Sequence, residues 1–135
     1  MVTKIKISTS GKGLHEISRQ LGEIVKQSGT VSGLMTVFIQ HTSASLTIQE
    51  NADPSAKFDL EQWIERFVPE DDPNYTHTLE GSDDMPAHIK AALTSTSLSI
   101  PIVDSQLALG TWQGVYVWEH RYGKQLRSIA VHIGE

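Results

Sequence analysis

An α+β domain is what this chain predicts: a compact sandwich of mixed or antiparallel strands with two longer helices and one short helix. Three observations lead there. Stretches near both ends carry apolar and polar residues with the period of a strand. Two internal stretches place apolar residues at helical spacing. Strands and helices follow one another without the strict βαβ alternation that builds a parallel sheet. A doubly wound parallel sheet is the alternative.

The elements follow in order. Val2 to Thr9 sets Ile5 and Ile7 on one face and Lys4 and Lys6 on the other, a first strand. Leu14, Ile17, Leu21, Ile24 and Val25 recur at helical spacing, and Gly29 supplies the stop. Leu34 to Gln40 and Ser45 to Gln49 are rich in β-formers, with Leu46 and Ile48 on a shared face. Asp53-Pro54 opens a second helix, because the carboxylate can cap free amides and proline suits the first turn. Leu60, Ile64 and Phe67 give that helix its apolar face, and Val68-Pro69 ends it. Glu70 to Gly81 is too long and polar for a plain connector and marks a functional loop. Asp83 or Asp84 can cap a short helix from Pro86 to about Leu93. Leu98 to Val103, Gly114 to Trp118 and Leu126 to Ile133 complete the strands, the last two expected to pair as a hairpin through Arg121–Lys124.

The chain has 135 residues and no cysteine. One domain spanning 1–135 is expected, with neither disulfides nor thiolate metal sites. The first ten residues lack the layout of a secretory signal, and no apolar run approaches a membrane span, so a soluble cytoplasmic protein is expected. Sixteen acidic against eleven basic residues give a net charge of −5. Dispersed basic residues and that sign argue against a broad nucleic-acid surface, whose affinity rests on neutralising phosphates.

Four clusters can carry chemistry. Gln40-His41-Thr42-Ser43-Ala44-Ser45 puts an imidazole and three hydroxyls between two strands, as a site or as a turn of small polar residues. In Gln49-Glu50-Asn51-Ala52-Asp53-Pro54, Asp53 has a sufficient role as a helix cap. Between Tyr75 and Lys90, His77 and His88 join Glu80, Asp83 and Asp84 within twelve residues. Such groups must be paired, hydrogen-bonded or metal-bound when buried. Finally, Gly110-Thr111-Trp112-Gln113-Gly114 precedes Glu119-His120-Arg121 at the end of a β-rich run. Three of the histidines 41, 77, 88 and 120 fit a zinc site with an open position. Nearby carboxylates could fix the ring tautomers. Glu80, Asp83 and Asp84 could instead hold magnesium, but imidazoles favour zinc or a similar transition metal.

Taken together, the motifs at 40–47, 50–54, 80–90, 110–114 and 119–121 resemble those of the YjbQ-like proteins, the secondary thiamine-phosphate synthase family. The resemblance covers nearly the whole chain in the same order. It implies an α+β sandwich assembling as a homotrimer, with a metal-compatible histidine pocket near a subunit boundary. It matches His41, His77, His88 and His120 to the family's histidines, leaving open which three bind a metal. The implied activity joins hydroxymethylpyrimidine pyrophosphate to thiazole phosphate with loss of pyrophosphate. Dedicated thiamine-phosphate synthases are β/α barrels of ~250 residues, so this chain cannot be one.

On that reading, Glu80, Asp84 and Glu119 orient ligands or move protons. Thr42, Ser43, Lys90, Gln113 and Arg121 meet substrate or phosphate. The expected partner is a small phosphorylated metabolite, and the expected cofactor a divalent metal. Metal-dependent hydrolysis of a phosphorylated or acyl molecule, and non-catalytic metabolite binding, are the rival readings.

Overall fold

The computed structural model describes residues 1–135. Along the chain run strands β1 (Val2–Ser10) and β2 (Gly13–Glu16), then helix α1 (Ser18–Ser28). Strands β3 (Gly33–Ile39) and β4 (Ala44–Glu50) lead to helices α2 (Pro54–Phe67) and α3 (Asp84–Leu93). Strands β5 (Ser97–Val103), β6 (Gln106–Leu107), β7 (Gln113–Glu119) and β8 (Lys124–Gly134) complete the fold. None of the helices is long and apolar enough to cross a membrane.

The strands form two antiparallel sheets, one ordered β1-β8-β3-β5-β6 and the other β2-β7-β4. Strand alternation decides what each sheet buries. In β8, Ile129, Val131 and Ile133 point inward, while Leu126 and His132 face out. Register then aligns Ile129 with Ile5 of β1, and Val131 with Val37 of β3. These side chains meet Leu46, Val115 and Val117 of the smaller sheet in one core of seventeen buried residues. Ile17, just before α1, and Leu21, Ile24 and Val25 of α1 close that core, so the α1 stripe is packing, as its spacing predicts. Gly29 ends α1 in the left-handed conformation, φ 70°.

Strand β7 is buried over nearly its whole length because it is covered on both sides. Val115 and Val117 face the main core, whereas Tyr116 and Trp118 pack with Leu14 and with Ile64 of α2. Asp53 caps α2 by accepting from the Ser55 amide at 2.9 Å, with Pro54 in the first turn. Trp63 and Phe67 stack at 5.1 Å on the outer side of that helix.

The α+β sandwich with three helices is as expected, and two local expectations are corrected. Leu14 belongs to β2, not to the first helix, which starts at Ser18. Its helical phase with Ile17 is coincidental: Leu14 pairs with Trp118 in the sheet. Strands β7 and β8 do not form a hairpin. Each already has two neighbours in its own sheet, so the short Arg121–Gly123 link crosses between layers. The segment from Gln40 to Ser43 crosses from β3 to β4 in the same way. Both crossings lie at the same end of the sandwich, beside α3, and that is where the candidate site forms.

Candidate metal centre

Helix α3 presents Asp84 and His88 four residues apart, on one face and one turn from each other. The long loop before it brings back His77. Asp84 Oδ2 lies 2.7 Å from His77 Nε2 and 3.3 Å from His88 Nε2. The two rings meet edge to face at 5.2 Å, and one donor atom from each of the three residues falls within 4.8 Å of the others. Glu80 is mostly exposed, with Oε2 at 3.8 Å from His77 Nε2.

Arg121 holds this arrangement together. Its Nε donates to Asp83 Oδ2 at 2.9 Å, Nη1 to Asp84 Oδ1 at 2.7 Å, and Nη2 to the Glu80 carbonyl at 2.9 Å. Asp83 also accepts from the Tyr122 amide, so it stands at the helix start without capping it. Burial opposes ionisation of Asp84, but the His77 hydrogen bond and the Arg121 charge outweigh it and hold the carboxyl below its ordinary range. The same balance, with Tyr122 and Arg121 overcoming burial, keeps Asp83 ionised.

Tetrahedral coordination at the usual zinc bond lengths sets ligand atoms roughly 3.3 Å apart. The 2.7 and 3.3 Å separations need only slight opening to accept an ion. Two imidazoles and one carboxylate suit zinc or another transition metal better than magnesium, and leave positions open for other ligands. Asp84 therefore stands as a direct ligand candidate; the sequence suggested a role in orienting ligands or moving protons.

His88 also borders a cleft of about 700 Å³ between α3 and the Gln40–Ser43 crossing. His41, Thr42 and Ser43 line its other side. His41 is turned away from ligand duty. Its Nε2 accepts from the Ser128 amide at 2.8 Å, and its Nδ1 faces Arg127 Nη1 at 3.3 Å. A neutral imidazole has one lone pair, here spent on the backbone. Burial, then the Arg127 charge, lowers its pKa and keeps it neutral.

The remaining expected site residues are placed elsewhere. His120 is buried at 1% exposure, with Nε2 at 2.9 Å from Ser45 Oγ, and does not join the three-residue group. Burial first, then the charges of Lys90, Arg127 and Lys12, push its pKa down to about 3. Glu119 accepts from Thr9, Arg127 and the amides of His120 and Arg121, leaving it no free role as a base. Burial favours its neutral form, yet Arg127 and Thr9 hold it ionised. Lys90, fully buried, is ion-paired with Glu65 of α2 and meets no ligand. Burial lowers its pKa against the pull of Glu65. Gln113 starts β7, six residues before Glu119 and so ~20 Å away, and its Oε1 caps the Gly110 amide at 2.7 Å. Asn51 donates to Glu16 at that same far end.

Arg127 was not anticipated. It is buried in the inward phase of β8 and binds Glu119 and the Ser43 carbonyl, with its Nη1 beside the His41 ring. The signal was legible: 127 shares the phase of Ile129, Val131 and Ile133, so a charge there needs a buried partner. Lys12 also went unnoticed. It bridges Glu65 and Glu70 and lies 4.0 Å over the Tyr122 ring.

The comparisons with known proteins agree with this architecture. The family model described as UPF0047 protein YjbQ-like matches residues 3–135. The UPF0047 protein sll1880 of Synechocystis is 54% identical over 94% of this chain and 86% of its own length. The UPF0047 protein YjbQ of Escherichia coli O157:H7 is 41% identical over 97% of this chain and 96% of its own. A solved yjbq/upf0047 family protein from Clostridium acetobutylicum superposes with a TM-score of 0.89 at 35% identity, covering 98% of this chain and 99% of that one. The chain belongs to the YjbQ-like UPF0047 family.

Proposed function

We propose that this chain is a small metal-dependent enzyme, with His77, Asp84 and His88 holding a divalent ion, zinc by preference, at the mouth of the cleft. The observation that carries the proposal is the convergence of the three donor atoms within 4.8 Å beside that cleft. Such an ion supplies Lewis acidity and makes a bound water acidic near neutral pH. The residues do the rest. Arg121 fixes Asp84 through Oδ1, which leaves Oδ2 facing the two imidazoles. Glu80, exposed and beside His77, is placed to take a proton from water and return it to a leaving group. Thr42 and Ser43 line the cleft and can orient a substrate.

Between the two reactions considered, hydrolysis fits better than thiamine-phosphate coupling. Coupling expels pyrophosphate, whose charge must be neutralised as it leaves. The ion can meet part of that charge, but Arg121 and Lys90, the side chains expected to share the task, are committed to Asp83, Asp84 and Glu65. In hydrolysis, water oxygen bonds to an acyl carbon, the C–O or C–N bond breaks, and Glu80 delivers the proton to the departing group.

Zinc-loaded protein should therefore hydrolyse members of an ester and amide panel while forming no thiamine phosphate from the two phosphorylated precursors. Coupling at a rate above any hydrolysis would overturn the choice. A homotrimer in the cytoplasm remains part of the proposal. The homotrimer is supported by the outward face of the larger sheet, where Leu34 and Leu126 are exposed beyond the cleft.

A further inference from the structure

We infer that the cleft beside His88 selects an uncharged, partly apolar small molecule bearing an amide or ester carbonyl, not a diphosphate. The inference rests on the proposed site and names its substrate class. Ten residues line the cleft, and none is lysine, arginine, aspartate or glutamate. Phe38, Ala91 and Ala92 offer apolar surface, and the half-exposed Phe38 ring gives a flat face for a planar ligand. Gln40, Thr42 and Thr96 are exposed around it, with amide and hydroxyl groups that match a carbonyl or N–H. The volume of about 700 Å³ falls in the range of small-molecule sites.

The surrounding charges point the same way. Three of the cations near the cleft are matched by carboxylates, while the exposed Lys6, close to His41, donates only to the Ser128 hydroxyl at 3.0 Å. Arg127 lies against Glu119, with side-chain exposure of only 5%. Arg121 spans Asp83 and Asp84, and Lys90 is sealed against Glu65. His41 stays neutral. Towards the metal group stand Asp84 and the exposed Glu80, and the chain as a whole is at −5. In the metal-free protein a diphosphate entering here would lose water with only the flexible, solvated Lys6 as counter-charge, and the overall field would slow its approach. An uncharged carbonyl compound meets neither obstacle, and its apolar part gains by leaving water.

Binding to metal-free protein tests this without depending on the ion. Benzamide, nicotinamide and acetanilide are titrated by NMR against inorganic pyrophosphate, following the amides of Phe38, Thr42, Ala92 and Thr96. At least one amide probe should shift these signals with an affinity insensitive to added salt. Ala92→Phe, at an exposed helix position, should weaken it about tenfold or more with the spectrum otherwise intact. Pyrophosphate should leave these signals unmoved. The inference is overturned if pyrophosphate binds there and salt weakens it, or if none of the amides binds. Loss of zinc binding with amide binding intact would instead sink the proposed metal reaction and leave the cleft's preference standing.

Discussion

At the scale of single residues, the end of the sandwich beside α3 is governed by charges that burial would forbid if they stood alone. Asp84 stays ionised because Arg121 and His77 reach it, and Glu119 because Arg127 and Thr9 do. His120 takes the opposite course and is held neutral, its pKa pushed down to about 3. The unfolded chain, with an ordinary histidine near 6.5, takes up that proton first as pH falls. The stabilising difference is therefore fully present above about pH 6.5 and is lost progressively towards pH 3. Urea unfolding should show a loss of about 2–3 kcal/mol between pH 6.5 and 4.5. His120→Asn should remove most of that slope, the remainder coming from His41, shifted in the same direction, and near pH 4.5 from carboxylates held ionised such as Asp84 and Glu119. An unchanged slope in the variant would mean that His120 titrates normally.

At the scale of elements, Lys90 and Glu65 join α3 to α2, and the two ends of the pair are unequal. Lys90 is fully buried, whereas the Glu65 side chain is 35% exposed and has Lys12 as a second partner. Removing Glu65 strands a charge in a dry site; removing Lys90 leaves a carboxylate that water can reach. Glu65→Gln should cost about 3 kcal/mol in chemical denaturation, and Lys90→Met about 1 kcal/mol or less. Equal costs would contradict the burial argument.

The same scale shows what could be read from residues alone. The α1 stripe, the Asp53-Pro54 helix start and the strand phases are local properties, and they were legible. Sheet membership was not. Whether β7 pairs with β8 depends on which strands flank each one, and no turn residue encodes that. The candidate site divides along the same line. His77, Asp84 and His88 lie within twelve residues, so their convergence was foreseeable. Lys90 and Glu119 lie in equally suggestive motifs but are consumed by Glu65 and Arg127, partners set only by tertiary packing.

At the scale of the whole molecule, the larger sheet buries one face against the core and leaves the other uncovered. Leu34, Leu126 and Val2 remain exposed on that side. Apolar exposure of this kind fits contact with further copies of the chain. Sedimentation at micromolar concentration should give a mass of three chains of 14.9 kDa, whereas a monomer mass would remove the trimer from the proposal. The far end of the sandwich, with Gln113 and Asn51, lies ~20 Å along β7 from Glu119 at the end near the candidate metal site, so one chain does not unite all the motifs.

The central claim is that His77, Asp84 and His88 form one metal centre. Calorimetric titration of metal-free protein with zinc tests it most directly, comparing wild type with His77→Ala and His88→Ala. One ion per chain should bind to wild type, and either substitution should weaken binding by at least about 100-fold, or roughly 3 kcal/mol. Wild-type affinity retained in both variants would contradict the account.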